Sequence, residues 1–213
     1  MATAGDLVAR ANFELRNTHE RMFPRAEMLS YVNRAAEMIH SVLAEAALDL
    51  VCTGEGSLTT AAGVGLYDLA AEGMGDLWVP VRVETQRATL RMIPDPSRSE
   101  RAVSGEPIGY WLEMDRLGLW PTPMAGQVVY VRYVPAFSEI AEGDQTPFKG
   151  LFDAQMVESI KILAKNRNRS GSPVDGQLHE IVHDRALALS RLRRRKDYVM
   201  RPAREGGRRC TVG

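Results

Sequence analysis

The sequence predicts an α+β fold: a helical bundle built from N- and C-terminal helices, an antiparallel β insertion between them, and an extended basic C-terminal tail. Three observations carry this. Apolar residues recur at three- and four-residue steps near residues 25–50 and again across 150–197. Residues 105–148 are dense in strand formers and break at Gly105-Glu106-Pro107, Pro121-Thr122-Pro123 and Ala141-Glu142-Gly143-Asp144. Arginines crowd the last 32 residues of the 213. The expected division is 1–50 with 150–197 as the bundle, 51–149 as the insertion and 198–213 as the tail.

At the N-terminus, Asp6 reads as the cap of a short helix through about Arg21, with Leu7, Val8, Ala11, Leu15 and Met22 on one stripe. Pro24 stands where a helix starts. From it Met28, Val32, Ala35, Ala36, Ile39, Leu43 and Ala46 trace a longer amphipathic helix. Residues 53–76 are rich in Gly, Ala and Thr, with a strand expected at 63–69. Further strands are expected near 78–84 and 88–93, then a loop at 94–106.

In Gln127–Val134 the β-branched and aromatic residues run almost without interruption. Val129, Val131 and Tyr133 share one face; Val128, Tyr130 and Val134 share the other with Arg132, so both faces read as mostly covered. Leu151, Ala154, Val157, Ile160 and Ala164 form the next helical stripe, with Ile160 and Leu163 expected against Val32, Ile39 and Leu43. Asn166–Gly176 interrupts it. A last helix is expected from about Gln177, capped by Asp175, with Leu178, Ile181, Val182, Ala186, Leu189 and Leu192 inward. It ends in Arg193-Arg194-Arg195-Lys196, cations that a helix C-terminus favours.

The formal net charge is zero, but the charges are segregated. Residues 182–213 hold ten basic and three acidic residues, a net +7; residues 1–181 hold 17 and 24, a net −7. A basic end on an acidic body points to an acidic partner, to nucleic acid or to another copy of the chain. Cys52 and Cys210 make no disulfide framework and fit a reducing compartment. Met1–Leu15 has no apolar h-region, and no apolar run approaches the roughly 18 residues of a membrane span, so neither secretion nor a membrane is expected.

His179-Glu180-Ile181-Val182-His183 is a literal H-E-x-x-H on an expected helix. Two histidines four residues apart share a face and can hold one zinc, while the glutamate activates its water. Against a zinc hydrolase, Asp184 and Arg185 follow the second histidine, no further histidine completes a metzincin pattern, and Glu205 in the Arg- and Gly-rich tail is the nearest third ligand. The glycines at 54, 56, 63 and 65 lead into no phosphate-binding motif. His19 and His40 stand alone and read as surface or partly buried. Glu139, Glu142 and Asp144 form an acidic loop without calcium-loop spacing. Tyr110, Trp111, Trp120, Tyr130 and Tyr133 alternate along strands and read as core and interface rather than as a base-stacking platform.

Four stretches, in order, resemble the head-to-tail adaptor (connector) proteins of tailed bacteriophages, including the tail-tube-A-like adaptors of short-tailed phages. They are Glu27–Ala35 with its Val32-Asn33-Arg34-Ala35 step; Leu66-Tyr67-Asp68-Leu69; Tyr110-Trp111-Leu112 through Leu117–Pro123 and on to Val128–Val134; and Gly143–Phe148. Ala70 stands where that family usually has proline, and Ala71 where a tight turn favours glycine. The resemblance spans about residues 25–195. It implies a structural virion protein, not an enzyme, that assembles in the host bacterial cytoplasm. Such a protein forms a dodecameric ring of its own copies beneath the portal protein. It lengthens the channel for passing double-stranded DNA and presents a docking surface to a tail or nozzle protein. No cofactor, metal or membrane is implied. C-terminal segments of that family reach the portal, so Arg193, Arg194, Arg195, Lys196, Tyr198, Arg201, Arg204, Arg208 and Arg209 are the expected portal-binding residues. A zinc hydrolase on His179, Glu180 and His183 and a nucleic-acid-binding module on the basic cluster are the alternatives.

Overall fold

The computed structural model describes residues 2–17, 22–50, 53–96, 103–167 and 172–199, the side chains of 49, 172–175 and 193–199 excepted. Among them are four α-helices and two β-sheets, a mixed α+β architecture.

Helix α1 (Ala4–Glu14) starts earlier than the charge pattern suggests. Thr3 is the cap, and Asp6 is its partner in a capping box. The Asp6 amide donates to Thr3 Oγ1 at 3.1 Å, and the Thr3 amide donates to Asp6 Oδ2 at 2.9 Å. Leu7, Val8 and Ala11 are buried as expected. The helix stops at Glu14 rather than near Arg21, because Arg16 turns left-handed (φ 54°) and Asn17 takes over the corner. Buried Asn17 Nδ2 donates to Asn12 Oδ1 and to the Phe23 carbonyl, each at 2.9 Å, while its Oδ1 accepts from the Met22 and Phe23 amides. Met22 therefore lies outside the helical stripe and is exposed.

Helix α2 (Arg25–Ala46) follows from Pro24 at its cap, and the expected stripe is buried apart from half-buried Ala46. Helix α3 spans Asp153–Lys165 and α4 spans Ser172–Val199. At the start of α3, Leu151, just before the helix, and Ala154 face solvent, while the cap residue Phe152 and Met156 fill the core beside Val157, Ile160 and Ala164. The wider side chains remove more apolar surface from water, so they decide between the two possible registers. Helix α4 begins at Ser172, not Gln177: proline is tolerated in a first helical turn, where its missing N–H costs nothing, so Pro173 does not break the helix. Leu178, Val182 and Ala186 are buried, Ile181 and Leu189 half-buried, and Leu192 exposed.

The helices share one core, in which Leu7, Val8, Val32, Ile39, Leu43, Phe152, Met156, Ile160 and Val182 meet. Leu163 pairs instead with Leu178, against Tyr31 and Met38. Lys161 ties α3 to α1 through Glu14 at 2.7 Å and also holds Glu158 at 2.6 Å.

One sheet has the order β1-β7-β3, from β1 (Gly54–Thr59), β3 (Leu77–Thr85) and β7 (Val128–Pro135). The other has the order β2-β6-β5-β4, from β2 (Leu66–Asp68), β4 (Arg91–Met92), β5 (Gly109–Glu113) and β6 (Arg116–Trp120). Both sheets contribute to one core: Leu58, Val83, Val129, Val131 and Tyr133 from the first, Tyr67, Tyr110, Leu117 and Leu119 from the second. Pairing is antiparallel except for the short β4–β5 contact, which is parallel. Strand β1 was not expected, and the strand expected at 63–69 shrinks to Leu66–Asp68 because Gly63 turns the chain (φ 76°). Strand β7 is covered throughout on one side, where Val129, Val131 and Tyr133 are buried, and only in part on the other, where Val134 is buried and Val128 half-buried while Tyr130 and Arg132 face solvent.

Ile160 is fully buried among α1, α2 and α4 residues. Ile160→Ala should cost about 2–5 kcal/mol of stability. Chemical denaturation is the check, and an unchanged midpoint would contradict the α2–α3 packing.

Candidate assembly surfaces

Where β7 returns to the helices, residues 135–148 cross the ends of α1 and α2 and are held at several points. Asn33 of α2 acts as a backbone mimic: its Oδ1 accepts from the Ile140 amide at 2.7 Å and its Nδ2 donates to the Ile140 carbonyl at 3.2 Å. About two turns further along α2, buried His40 places Nε2 2.8 Å from the Pro135 carbonyl. A carbonyl only accepts, so the proton sits on Nε2. The imidazole stacks on Trp78 of β3 at 5.5 Å and lies 6.0 Å from Phe137. The amides of Ala4 and Gly5, unpaired within α1, donate to the carbonyls of Asp144 (3.0 Å) and Glu142 (2.9 Å). Arg25 grips Glu142, with Nε 2.9 Å from Oε1. This hydrogen bond holds the Glu142 carboxyl below its ordinary range. The acidic loop of the sequence is thus a structural tie: Glu142 pairs with Arg25, and Asp144 Oδ2 accepts from the Ala141 amide at 2.9 Å. His40, taken as isolated, is part of the same tie.

These ties frame an open groove of about 370 Å³ whose walls include His40, Pro135, Phe137, Ile140, Pro147 and Phe148. A second surface is the uncovered face of the first sheet. There Arg132 meets Thr53 (3.1 Å) and Glu55 (3.9 Å), Arg82 meets Glu84 (2.7 Å), and Tyr130 stands between them. The remaining apolar side chains in water are scattered, and two are extreme. Met114, at the β5–β6 turn, is 97% exposed, and Phe13, near the end of α1, is 86% exposed.

The expected portal-binding residues fall at the far end of the chain. Arg193, Arg194, Arg195, Lys196 and Tyr198 continue α4, which runs on to Val199 rather than ending at the arginines; their side chains lie outside the described residues. Arg201, Arg204, Arg208 and Arg209 also lie outside the described residues. Of the H-E-x-x-H motif, His179 and Glu180 are exposed and His183 is half-buried. The two rings stack in parallel 5.5 Å apart, and His179 lines a shallow hollow with Glu37, Ser41 and Glu45 of α2. Among the described residues no three potential ligand side chains cluster, and Glu205 lies outside them. The strand aromatics divide as core and rim: Tyr110, Trp111 and Tyr133 are buried, Trp120 half-buried, Tyr130 exposed.

A family model described as SU10 adaptor protein matches residues 2–205, a span that takes in all four helices and both sheets. The chain belongs to the SU10 adaptor protein family. This is a family of phage head-tail adaptors, so the chain is a structural component of a phage virion that meets other head and tail components. No curated protein matches it. No described helix of this SU10 adaptor protein is long and apolar enough to cross a membrane. The sequence pointed to the family through stretches that the structure puts to use. Asn33 holds Ile140, Tyr67 Oη donates to the Val64 carbonyl at 2.7 Å, and Trp111 lies over Gly118.

Two predictions follow from these sites. Because the folded-state pKa of Glu142 is depressed, its contribution is present above its ordinary value of 4.5 and is lost as pH falls through the folded value. Glu142→Gln should therefore lose less stability than the wild type between about pH 6 and about pH 3.5. Urea midpoints at both pH values measure this, and parallel losses would contradict the Arg25–Glu142 tie. Separately, the purified protein should retain no stoichiometric zinc after dialysis, and His179→Ala with His183→Ala should leave assembly unchanged. One tightly held zinc per chain, lost in the double variant, would restore the hydrolase reading.

Proposed function

We propose that this SU10 adaptor protein, in the manner of the tail-tube-A-like adaptors, forms a ring, a dodecamer, that docks beneath the portal protein. The ring extends the channel for double-stranded DNA, which passes without sequence recognition, and offers the attachment surface for a tail or nozzle protein. Residues 1–50 and 150–197 serve as the helical bundle that packs the subunits, and 51–149 as the insertion that faces neighbours or tail. Residues 198–213, with Arg193–Lys196 before them, serve as the portal-binding end. The observation that carries the reading is the family match from residue 2 to 205 in a chain whose last 32 residues hold +7 against −7 elsewhere.

Single exposed ion pairs contribute only about 0–1 kcal/mol, so one arginine does not dock an adaptor. Arg193, Arg194, Arg195, Lys196, Arg201, Arg204, Arg208 and Arg209, with Tyr198 as an amphipathic anchor, supply many contacts at once. Their ordering against a portal groove is offset by the sum of those contacts. Among the described side chains of α4, Leu189 is the last apolar one packed against the core, ahead of this basic end.

Deletion of 198–213 should leave a soluble protein with wild-type helix content that no longer co-sediments with portal rings. Binding of the intact protein should weaken as salt rises. Full retention of portal binding by the truncated protein would move the contact onto the helices or the sheets.

A further inference from the structure

A ring needs a contact between unlike surfaces, one on each side of every subunit. A contact of that kind closes into a ring or runs on as a filament. The reading that follows rests on the ring proposed above. We propose that Phe13 of one copy seats in the groove between α2 and residues 135–148 of the next.

Phe13 is 86% exposed in the last turn of α1, a helix whose other apolar residues Leu7, Val8 and Ala11 are buried. Leu15, two residues on, packs against the helical core, so Phe13 is the large apolar side chain of α1 that is turned outward. Exposed Arg10 and Arg16 flank it. The neighbouring acid, Glu14, shares Lys161 with Glu158, at 2.7 and 2.6 Å, so with Arg10 and Arg16 the described surround of Phe13 stays net basic.

The groove has the opposite character. Its walls are aromatic and aliphatic, with the His40 ring stacked on Trp78 and set beside Phe137, so a phenyl ring finds edge and face partners there. Its rim carries exposed Glu139 and Asp144. Glu142, next to them, is already neutralised by Arg25. An apolar knob in a basic collar therefore meets an apolar hole in an acidic collar.

The chain cannot satisfy this pairing by itself. The α1 end beside the groove is its first turn, where Ala4 and Gly5 hydrogen-bond to Asp144 and Glu142. Phe13 lies nine residues along a rigid helix from Ala4, roughly 13 Å away at 1.5 Å per residue. The occupant is thus a second copy, and the knob and hole lie at opposite ends of one helix, as a head-to-tail contact demands.

The test uses the full chain and two substitutions at exposed positions, Phe13→Asp to remove the knob and Ser138→Trp to fill the groove. Circular dichroism should show wild-type helix content in both. In sedimentation velocity without portal, the wild type should form rings and each variant should remain monomeric; with portal rings, where the intact basic ends still dock, cross-linking should join wild-type neighbours into rings and leave each variant as single copies. An equimolar mixture of the variants should form dimers and nothing larger, because it contains one intact knob and one intact hole per pair. If both variants form rings, or their mixture rebuilds full rings or stays monomeric, the Phe13 contact is overturned while the ring stands. A wild-type chain that never exceeds a monomer under either condition overturns the ring and this contact with it.

Discussion

The burial of α2 is the constraint from which the remaining structure follows. This helix touches α1, α3, α4 and the 3-10 turn at Leu48–Leu50, and its residues Met28, Val32, Ala36, Ile39 and Leu43 are almost wholly removed from water. Burying a large aliphatic side chain contributes about 1.5–3 kcal/mol, so the face is worth more than any polar contact in the molecule. Ala35, Ala36 and Ala44 on the same helix are small enough to let neighbours close in. Two of the polar residues on this helix, Asn33 and His40, hold the backbone leaving β7. The same rigid rod therefore organises the helices and fixes where the strands depart. Replacing either polar group would leave buried backbone unpaired, at about 1–3 kcal/mol for each such group.

The helices were legible in the sequence to the extent that their periodicity was unique. The α2 stripe runs without an alternative, and the structure buries it as read. Around α3 two registers compete, and only packing decides that Phe152 and Met156 enter while Leu151 and Ala154 stay in water. Helix ends proved harder to place, because capping groups are recognised by what they reach. Thr3 and Asp6 are both good caps in isolation, and their reciprocal bonds assign the roles. The corner at Asn17 was invisible for the same reason: one amide side chain satisfies groups from Asn12 to Phe23, a pattern with no periodicity.

Strand β1 shows why local propensity failed in the insertion. Gly54-Glu55-Gly56-Ser57 is a poor strand former by composition. Its glycines are there for close approach: a Cβ at Gly56 would enter the Met74 side chain, and one at Gly54 would enter the Tyr133 ring. Gly118 in β6 gives way to Trp111 in the same manner. The large residues that marked the β segment in the sequence thus require small ones opposite them, and those small ones hide their own strands. The second face of β7 was misjudged at Tyr130 and Arg132, though not at buried Val134, because a continuous β-branched run is compatible with one covered side or two. Arg132, paired with Glu55 across the strand, is the residue that distinguishes the cases.

The candidate surfaces differ in the force they use, and that difference orders an assembly. Within the body, many of the charges are spent locally: Arg25 on Glu142, Lys161 on Glu14 and Glu158, Arg82 on Glu84. What is left over is a separation along the chain, acidic through residue 181 and basic beyond it. A contact made by that separation acts over a Debye length and fades as salt rises. A contact made by Phe13 in an aromatic groove acts only on touch, and salts excluded from the protein surface strengthen it. On the proposed reading, ring closure is thus the short-range, salt-tolerant step and portal docking the long-range, salt-sensitive one. Copies steered to an acidic portal by their basic ends reach the local concentration at which a single apolar knob per subunit is enough to close the ring.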